Sequence, residues 1–151
     1  MLSQTSEHAI RALLFLARRP AGETVPAARI ARALGAPANY LAKTLNALAR
    51  TGVVASTRGP AGGFRLGRAA YAITLAEIDD AFAEARPSAT CLLGDRPCDD
   101  RNPCAAHARW AAIREQVRTP LRATTLADLA LHPDLDAGAH AGIHGPADRS
   151  A

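Results

Sequence analysis

The chain has 151 residues, room for one ordinary domain or a small domain with an appended arm. Its apolar content of 48% supports a core, yet aromatics are only 4%, so that core is built from Ala and Leu, both strong helix formers. No apolar run approaches the ~20 residues that span a bilayer, and three cysteines are an odd number for a disulfide framework.

The start, MLSQTSEHAIRALLFLARRP, lacks a basic region ahead of its apolar part and a small-residue cleavage site. A cytoplasmic protein with reduced thiols is expected. The net charge of +4 is unevenly spread: residues 1–70 hold ten Lys/Arg against two Asp/Glu, and residues 71–151 hold eight against twelve. A basic front half and a slightly acidic back half form an electrostatic footprint for a polyanion at one end.

In chain order, the first helix is expected from Ser6 to Arg18, capped by Ser6 and favoured by Glu7 in its first turn. Ile10, Leu13, Leu14 and Ala17 form its apolar face. A second, short helix follows Thr24-Val25-Pro26, burying Ala27, Ile30, Ala31 and Leu34 and stopping at Gly35. After GAPAN a third helix, NYLAKTLNALARTG, places Leu41, Leu45 and Leu48 on one face and Asn39, Lys43, Asn46 and Arg50 on the other. Two helices joined by a tight turn, the second with a polar outer face, form a helix-turn-helix. Val53–Thr57 and Phe64–Leu66 read as strands around the loop RGPAGG, a hairpin in the position of a wing. Arg58 and Arg65 flank it and can reach phosphates or a narrow minor groove.

Thr74 and Glu77 form a capping box for a fourth helix, with Ile73 and Ile78 as a hydrophobic staple, ending near Ala85-Arg86-Pro87. Pro103 seats a long helix with Trp110, Ile113 and Val117 on one stripe, and Pro120 ends or kinks it. A last short helix after Thr124 or Thr125 includes Leu126, Leu129 and Leu131. From His132 onward the aperiodic Pro, Asp, Ala, Gly and His composition predicts a disordered tail.

Between the fourth and fifth helices lies TCLLGDRPCDDRNPCAAHARW, which holds all three cysteines within fourteen positions. The spacing is Cys91-x6-Cys98-x5-Cys104-x2-His107, and GDRP and DDRNP supply turns that fold the thiols toward one centre. Cys104 and His107, three apart at a helix start, share a face. Thiolates suit zinc or an iron–sulfur cluster, and imidazole completes either. Structural zinc sites usually pair close cysteines, as in C-x2-C, and no such pair exists here. Three small apolar residues with no common role are the plain alternative.

The order of these parts resembles the Rrf-two family of bacterial transcription regulators, which includes the IscR and NsrR types. TSEHAIRALLFLA looks like its first helix, NYLAKTLNALARTGVV with RGPAGGFRL like its recognition helix and wing, and CDDRNPCAAHARW like its cluster loop entering the dimerisation helix. The likeness covers about residues 1–131. It implies a homodimer with two winged helices and a long crossing helix, and an iron–sulfur cluster on Cys91, Cys98 and Cys104. The fourth ligand differs between subgroups. The IscR type uses the histidine at the position of His107; the NsrR type uses an acid in the first helix of the other subunit, where Glu7 falls. A third subgroup pairs that acid with a histidine one turn on, where this chain has Arg11. The x6 interval between the first two cysteines departs from the common x5 by one loop residue.

The expected fold is thus mainly α with a small β-hairpin. Residues 1–85 form the winged helix-turn-helix, 86–103 the cysteine loop, 104–131 the dimerisation helix and short terminal helix, and 132–151 the tail. The expected function is dimeric, sequence-specific binding of double-stranded operator DNA under control of an iron–sulfur cluster, 2Fe-2S ahead of 4Fe-4S, as a sensor of redox state, nitric oxide or cluster supply. Asn39, Tyr40, Lys43, Thr44 and Asn46 are the expected groove contacts, and Arg58, Gly59, Gly62, Gly63 and Arg65 the wing contacts. Trp110, Ile113 and Val117 are the expected dimer interface. No membrane, small-molecule substrate or enzymatic activity is expected: no nucleophile–base pair is evident, and GPAGG lacks the Lys-Ser/Thr of a phosphate loop. Two rivals remain at this point: the same regulator using thiol oxidation or zinc instead of a cluster, and a small iron–sulfur carrier whose winged helix binds protein.

Overall fold

The computed structural model describes residues 2–59, 62–82 and 99–131. Helix α1 spans Gln4–Ala17 and begins earlier than the sequence reading placed it, because Ser3, not Ser6, is the cap: the Ser6 amide donates to Ser3 Oγ at 3.1 Å. Ser6 is instead fully buried, and its hydroxyl donates to Asp79 at 2.7 Å. Helix α2 (Ala27–Leu34) ends as expected on Gly35, whose φ of +63° is the left-handed region that glycine enters without steric cost. Helix α3 (Ala38–Arg50) buries Leu41, Leu45 and Leu48 completely, the face its periodicity predicts. At roughly 1.5–3 kcal/mol for each fully buried side chain of this size, that stripe fixes the rotation of α3 about its own axis.

Strands β1 (Val54–Thr57) and β2 (Gly63–Leu66) pair antiparallel, with Val54 opposite Leu66 and Thr57 opposite Gly63. The hairpin is extended by one residue the sequence does not advertise. Val25, just before α2, exchanges two backbone hydrogen bonds with Phe64, each 2.9 Å. The lead-in to the helix-turn-helix is therefore part of the wing's sheet.

A single 3₁₀ turn (Ala70–Ala72) leads to α4 (Leu75–Asp80), with the predicted capping box on Thr74 and Glu77. Helix α4 stops at Asp80, before the expected Ala85. Residues 83–98, which carry the rest of that expectation, lie outside the described residues, as does the tail from His132. Helix α5 spans His107–Ala123 and runs through Pro120 rather than ending there. Pro120 falls in the last turn, so the bond its missing N–H would have made to Gln116 is the only one forfeited, and the Thr124 amide closes the end on Pro120 O at 3.0 Å.

Helix α6 (Leu126–Ala130) carries a second capping box, Thr125 with Asp128. The two helix starts are joined back to back. Thr74 and Thr125 form an antiparallel bridge: the Leu75 amide donates to Thr124 O at 3.0 Å and the Leu126 amide to Ile73 O at 2.8 Å. Ile73 and Leu126 are fully buried there. The core draws on α1 to α4, the hairpin and α6, whereas α5 contributes no buried residue. Among the described residues no helix is long and apolar enough to cross a membrane.

The Glu77 carboxylate is held below the usual carboxylate range, first by the Thr74 amide and then by Arg68. Asp128 is lowered in the same way by the Thr125 amide and hydroxyl. Because the folded values lie below the unfolded ones, the stabilisation is complete above the unfolded carboxylate range and is lost as pH falls through the folded values. Thr74→Ala is expected to cost about 1 kcal/mol of unfolding free energy at neutral pH, with a smaller loss in acid, where Glu77 is protonated in both proteins; urea titrations across that pH range measure it.

Candidate nucleic-acid interface and cysteine segment

The outer face of α3 is set by its buried face. With Leu41, Leu45 and Leu48 inward, Asn39, Lys43, Asn46 and Arg50 are exposed. Two of the expected groove contacts are committed elsewhere. Thr44 is buried, and its hydroxyl donates to Tyr40 O at 3.0 Å, one turn back along the same helix. Thr44 therefore leaves the list of groove contacts. Tyr40 is half-buried: its hydroxyl donates to Thr5 Oγ1 at 3.1 Å, and its ring meets His8 edge-on with centroids 5.5 Å apart. His8 is itself steadied by Gln4 O, 2.8 Å from Nδ1. The aromatic at the start of α3 thus fastens that helix to the first turns of α1.

Both expected wing arginines are exposed. Among the described residues Lys43, Arg50 and Arg58 make no ion pair, whereas Arg29 is 3.4 Å from Glu23 and Arg68 is 2.6 Å from Glu77. An exposed cation without an ion pair is available to an anionic partner. The wing glycines have local reasons of their own. Gly59 has φ +110°. A Cβ on Gly62 would lie 2.3 Å from Thr57 O, and one on Gly63 would lie 2.5 Å from the Val25 carbonyl carbon and oxygen. Gly62 lets the loop close on itself, and Gly63 lets the Val25 backbone approach β2.

Of the expected metal ligands, Cys104 and His107 are described, while Cys91 and Cys98 lie outside the described residues. Cys104 precedes α5 rather than sharing its first turn; the two positions are joined by a turn in which the His107 amide donates to Cys104 O at 3.0 Å. Both residues are partly buried, and the His107 ring has Nε2 3.0 Å from Asp100 Oδ1. Glu7 is exposed in the first turn of α1, and Arg11 is exposed one turn on. Among the described residues no group of three or more His, Cys, Asp or Glu side chains is gathered around a common centre. Beyond His107, α5 presents Trp110, Ile113 and Val117 along one side; Trp110 is half-buried, and Ile113 and Val117 are 48% and 42% exposed.

The Rrf2 (Rrf-two) family description, an iron-dependent transcriptional regulator, matches residues 2–132. The chain belongs to the Rrf2 family. It is 34% identical over 131 residues to a putative HTH-type transcriptional regulator of Aquifex aeolicus, covering 85% of this chain and 90% of that one. It is 32% identical over 134 residues to the HTH-type transcriptional regulator IscR of Yersinia pseudotuberculosis, covering 89% and 81%. Among solved structures, the oxidized form of Staphylococcus aureus CymR superposes with a TM-score of 0.67 at 25% identity, covering 89% of this chain and 98% of that one. As an Rrf2 protein the chain is a helix-turn-helix transcription regulator with a winged-helix fold, and its relatives are regulators rather than enzymes.

Three features of this region escape sequence reading: the Val25–Phe64 bridge, the Tyr40–Thr5 bond and the Ser6–Asp79 bond. Each joins residues far apart in the chain, and only the Gly63-Phe64 pair carried a local hint, since a glycine inside a strand often marks close backbone approach. Gly63→Ala is expected to lower stability by about 1–3 kcal/mol as the Val25 strand is pushed off β2, measured by thermal unfolding.

Proposed function

We propose that this Rrf2 regulator is a homodimer that binds double-stranded operator DNA, with its affinity set by an iron–sulfur cluster on Cys91, Cys98, Cys104 and His107. The observation that carries the reading is the junction at the base of α5. A partly buried cysteine and histidine are joined there by one turn, directly ahead of an apolar stripe in which Ile113 and Val117 stay exposed. The donor set suits the group: three thiols and an imidazole are the ligands of an IscR-type cluster, and His107 stands next to Cys104 whereas Glu7 would have to come from the other subunit. His107 is the fourth ligand on this reading, and the 2Fe-2S form is preferred. Such a cluster supplies one-electron redox chemistry and a ligand shell that opens when it is lost.

The chain's own residues supply the rest. Trp110, Ile113 and Val117 of two subunits cover one another, which spaces two reading heads. Asn39, Lys43 and Asn46 enter the major groove, Asn matching adenine and Lys guanine or phosphate. Arg58 and Arg65 hold the flanking backbone or minor groove. A change in the cysteine loop is felt at α5, and a small shift between two heads reading two half-sites at once costs affinity at both.

The likeness to the oxidized form of S. aureus CymR favours a second reading, in which oxidation of the same thiols sets affinity without a cluster. Iron and sulfide analysis of anaerobically purified protein separates the two. Cys104→Ala is expected to abolish visible absorbance and to alter binding to DNA from upstream of the protein's own coding region; binding that is indifferent to the presence of a cluster overturns cluster control. Arg58→Ala is expected to weaken binding at all sequences and to reduce the salt slope by about 1, read from gel shifts at several salt concentrations. Val117→Asp places a charge in the stripe, and a shift to monomer in sedimentation equilibrium is the expected result; a monomeric wild type overturns the dimer.

A further inference from the structure

Helix α4 ends in two adjacent carboxylates, Asp79 and Asp80, with no basic residue in its last turn. Acidic side chains at a helix C-terminus face the negative end of the helix dipole, so local preference argues against both. Each instead makes a tertiary contact, to a different helix. Asp79 is buried and accepts the Ser6 hydroxyl at 2.7 Å in the first turn of α1, the positive end of that helix. Asp80 is exposed and takes the Arg118 guanidinium of α5 in two parallel hydrogen bonds, both 2.9 Å. The fork-to-fork form fixes direction as well as distance.

These contacts bracket the cysteine segment. Asp80 lies on the helix before it and Arg118 on the helix after it, so the ion pair closes a loop holding all three cysteines and His107. The chain of contacts continues on the other side. Thr5, next to Ser6, accepts the Tyr40 hydroxyl from the start of α3. Between α5 and the reading helix there are thus three side-chain links: Arg118 to Asp80, Asp79 to Ser6, and Tyr40 to Thr5. Helix α5 has no fully buried residue, and Leu121 near its C-terminal end is its side chain packed against the core, so the Asp80–Arg118 pair adds a directional contact to a helix with little core packing.

We infer that Asp79 and Asp80 are positioning residues that lock α5 to the reading head, so that the spacing of the two heads, and with it the half-site spacing the protein accepts, is set through the end of α4. The inference rests on the dimer reading above but not on a cluster. It explains why two carboxylates stand where helix preference disfavours them: one anchors α4 to the head and the other anchors α5 to α4.

The test uses the full chain and a DNA duplex recovered by wild-type protein from a random-sequence pool, with versions of that duplex carrying one base pair more or fewer between its half-sites. Wild type is expected to discriminate strongly between spacings. Asp80→Asn and Arg118→Gln alter an exposed and a half-buried position outside the core and should keep the wild-type far-UV dichroism, while their discrimination between spacings falls about two- to fivefold, the range of a solvent-accessible pair. The charge exchange Asp80→Arg with Arg118→Asp should restore it, a rescue that mere loss of surface charge does not give. A dimeric Asp80→Asn protein with wild-type spacing preference overturns the clamp alone, as does an exchange variant worse than either single change. A wild-type chain that sediments as a monomer overturns the dimer reading and this inference with it.

Discussion

The architecture hangs on two backbone hydrogen bonds, Leu75 to Thr124 and Leu126 to Ile73. They close a long excursion of chain that leaves the reading head after residue 73, passes through the cysteine segment and α5, and returns at residue 126. They fix the register in which α6 meets the head, where Leu126 is buried in the core and Leu129 and Ala130 pack against it. The same step uses two helix starts of matching design, Thr-Leu-Ala-Glu and Thr-Leu-Ala-Asp. Each caps itself through its threonine and acid, which leaves the backbone ahead of the cap extended and able to pair with the other. Two local motifs thereby become one long-range contact.

The winged head shows a division of labour that burial imposes. The leucine stripe of α3 decides which side faces solvent, and only residues outside its arc remain for DNA. Tyr40 and Thr44 sit at the margins, and both spend their hydroxyls inside the protein. Polarity alone is therefore a poor guide to which residues of a recognition helix read bases. Angular distance from the apolar stripe is a better one, and it leaves Asn39, Lys43, Asn46 and Arg50 facing solvent.

Much of this was legible before any coordinates. Periodicity located α2, α3 and the hairpin because each buries one face at a regular interval, and Gly35 and the Thr74–Glu77 box are local signals read from a few adjacent residues. The misplacements have physical reasons. Ser6 has the chemistry of a cap, but Ser3 has it too and makes the cap, while the Ser6 hydroxyl bonds Asp79. Pro120 signals an end or a kink, yet in a last turn it costs one hydrogen bond and the helix continues to Ala123. Residue types and spacing in the cysteine segment give an expectation of metal chemistry, and two of its three cysteines lie outside the described residues. What no local pattern could reveal is how that segment is tied to the head, because Asp79, Asp80 and Arg118 look like ordinary surface charges until their partners are known.

The bridge between Val25 and Phe64 carries a consequence for how such regulators diversify. The strand entering the helix-turn-helix and the inner strand of the wing share two hydrogen bonds, and Gly63 exists as glycine because the Val25 carbonyl lies against it. The recognition helix is therefore not an interchangeable cassette. A new specificity borrowed from a relative has to be transplanted as the whole block from residue 25 to residue 66, since a helix moved alone would leave its entry strand mismatched to a wing shaped for another.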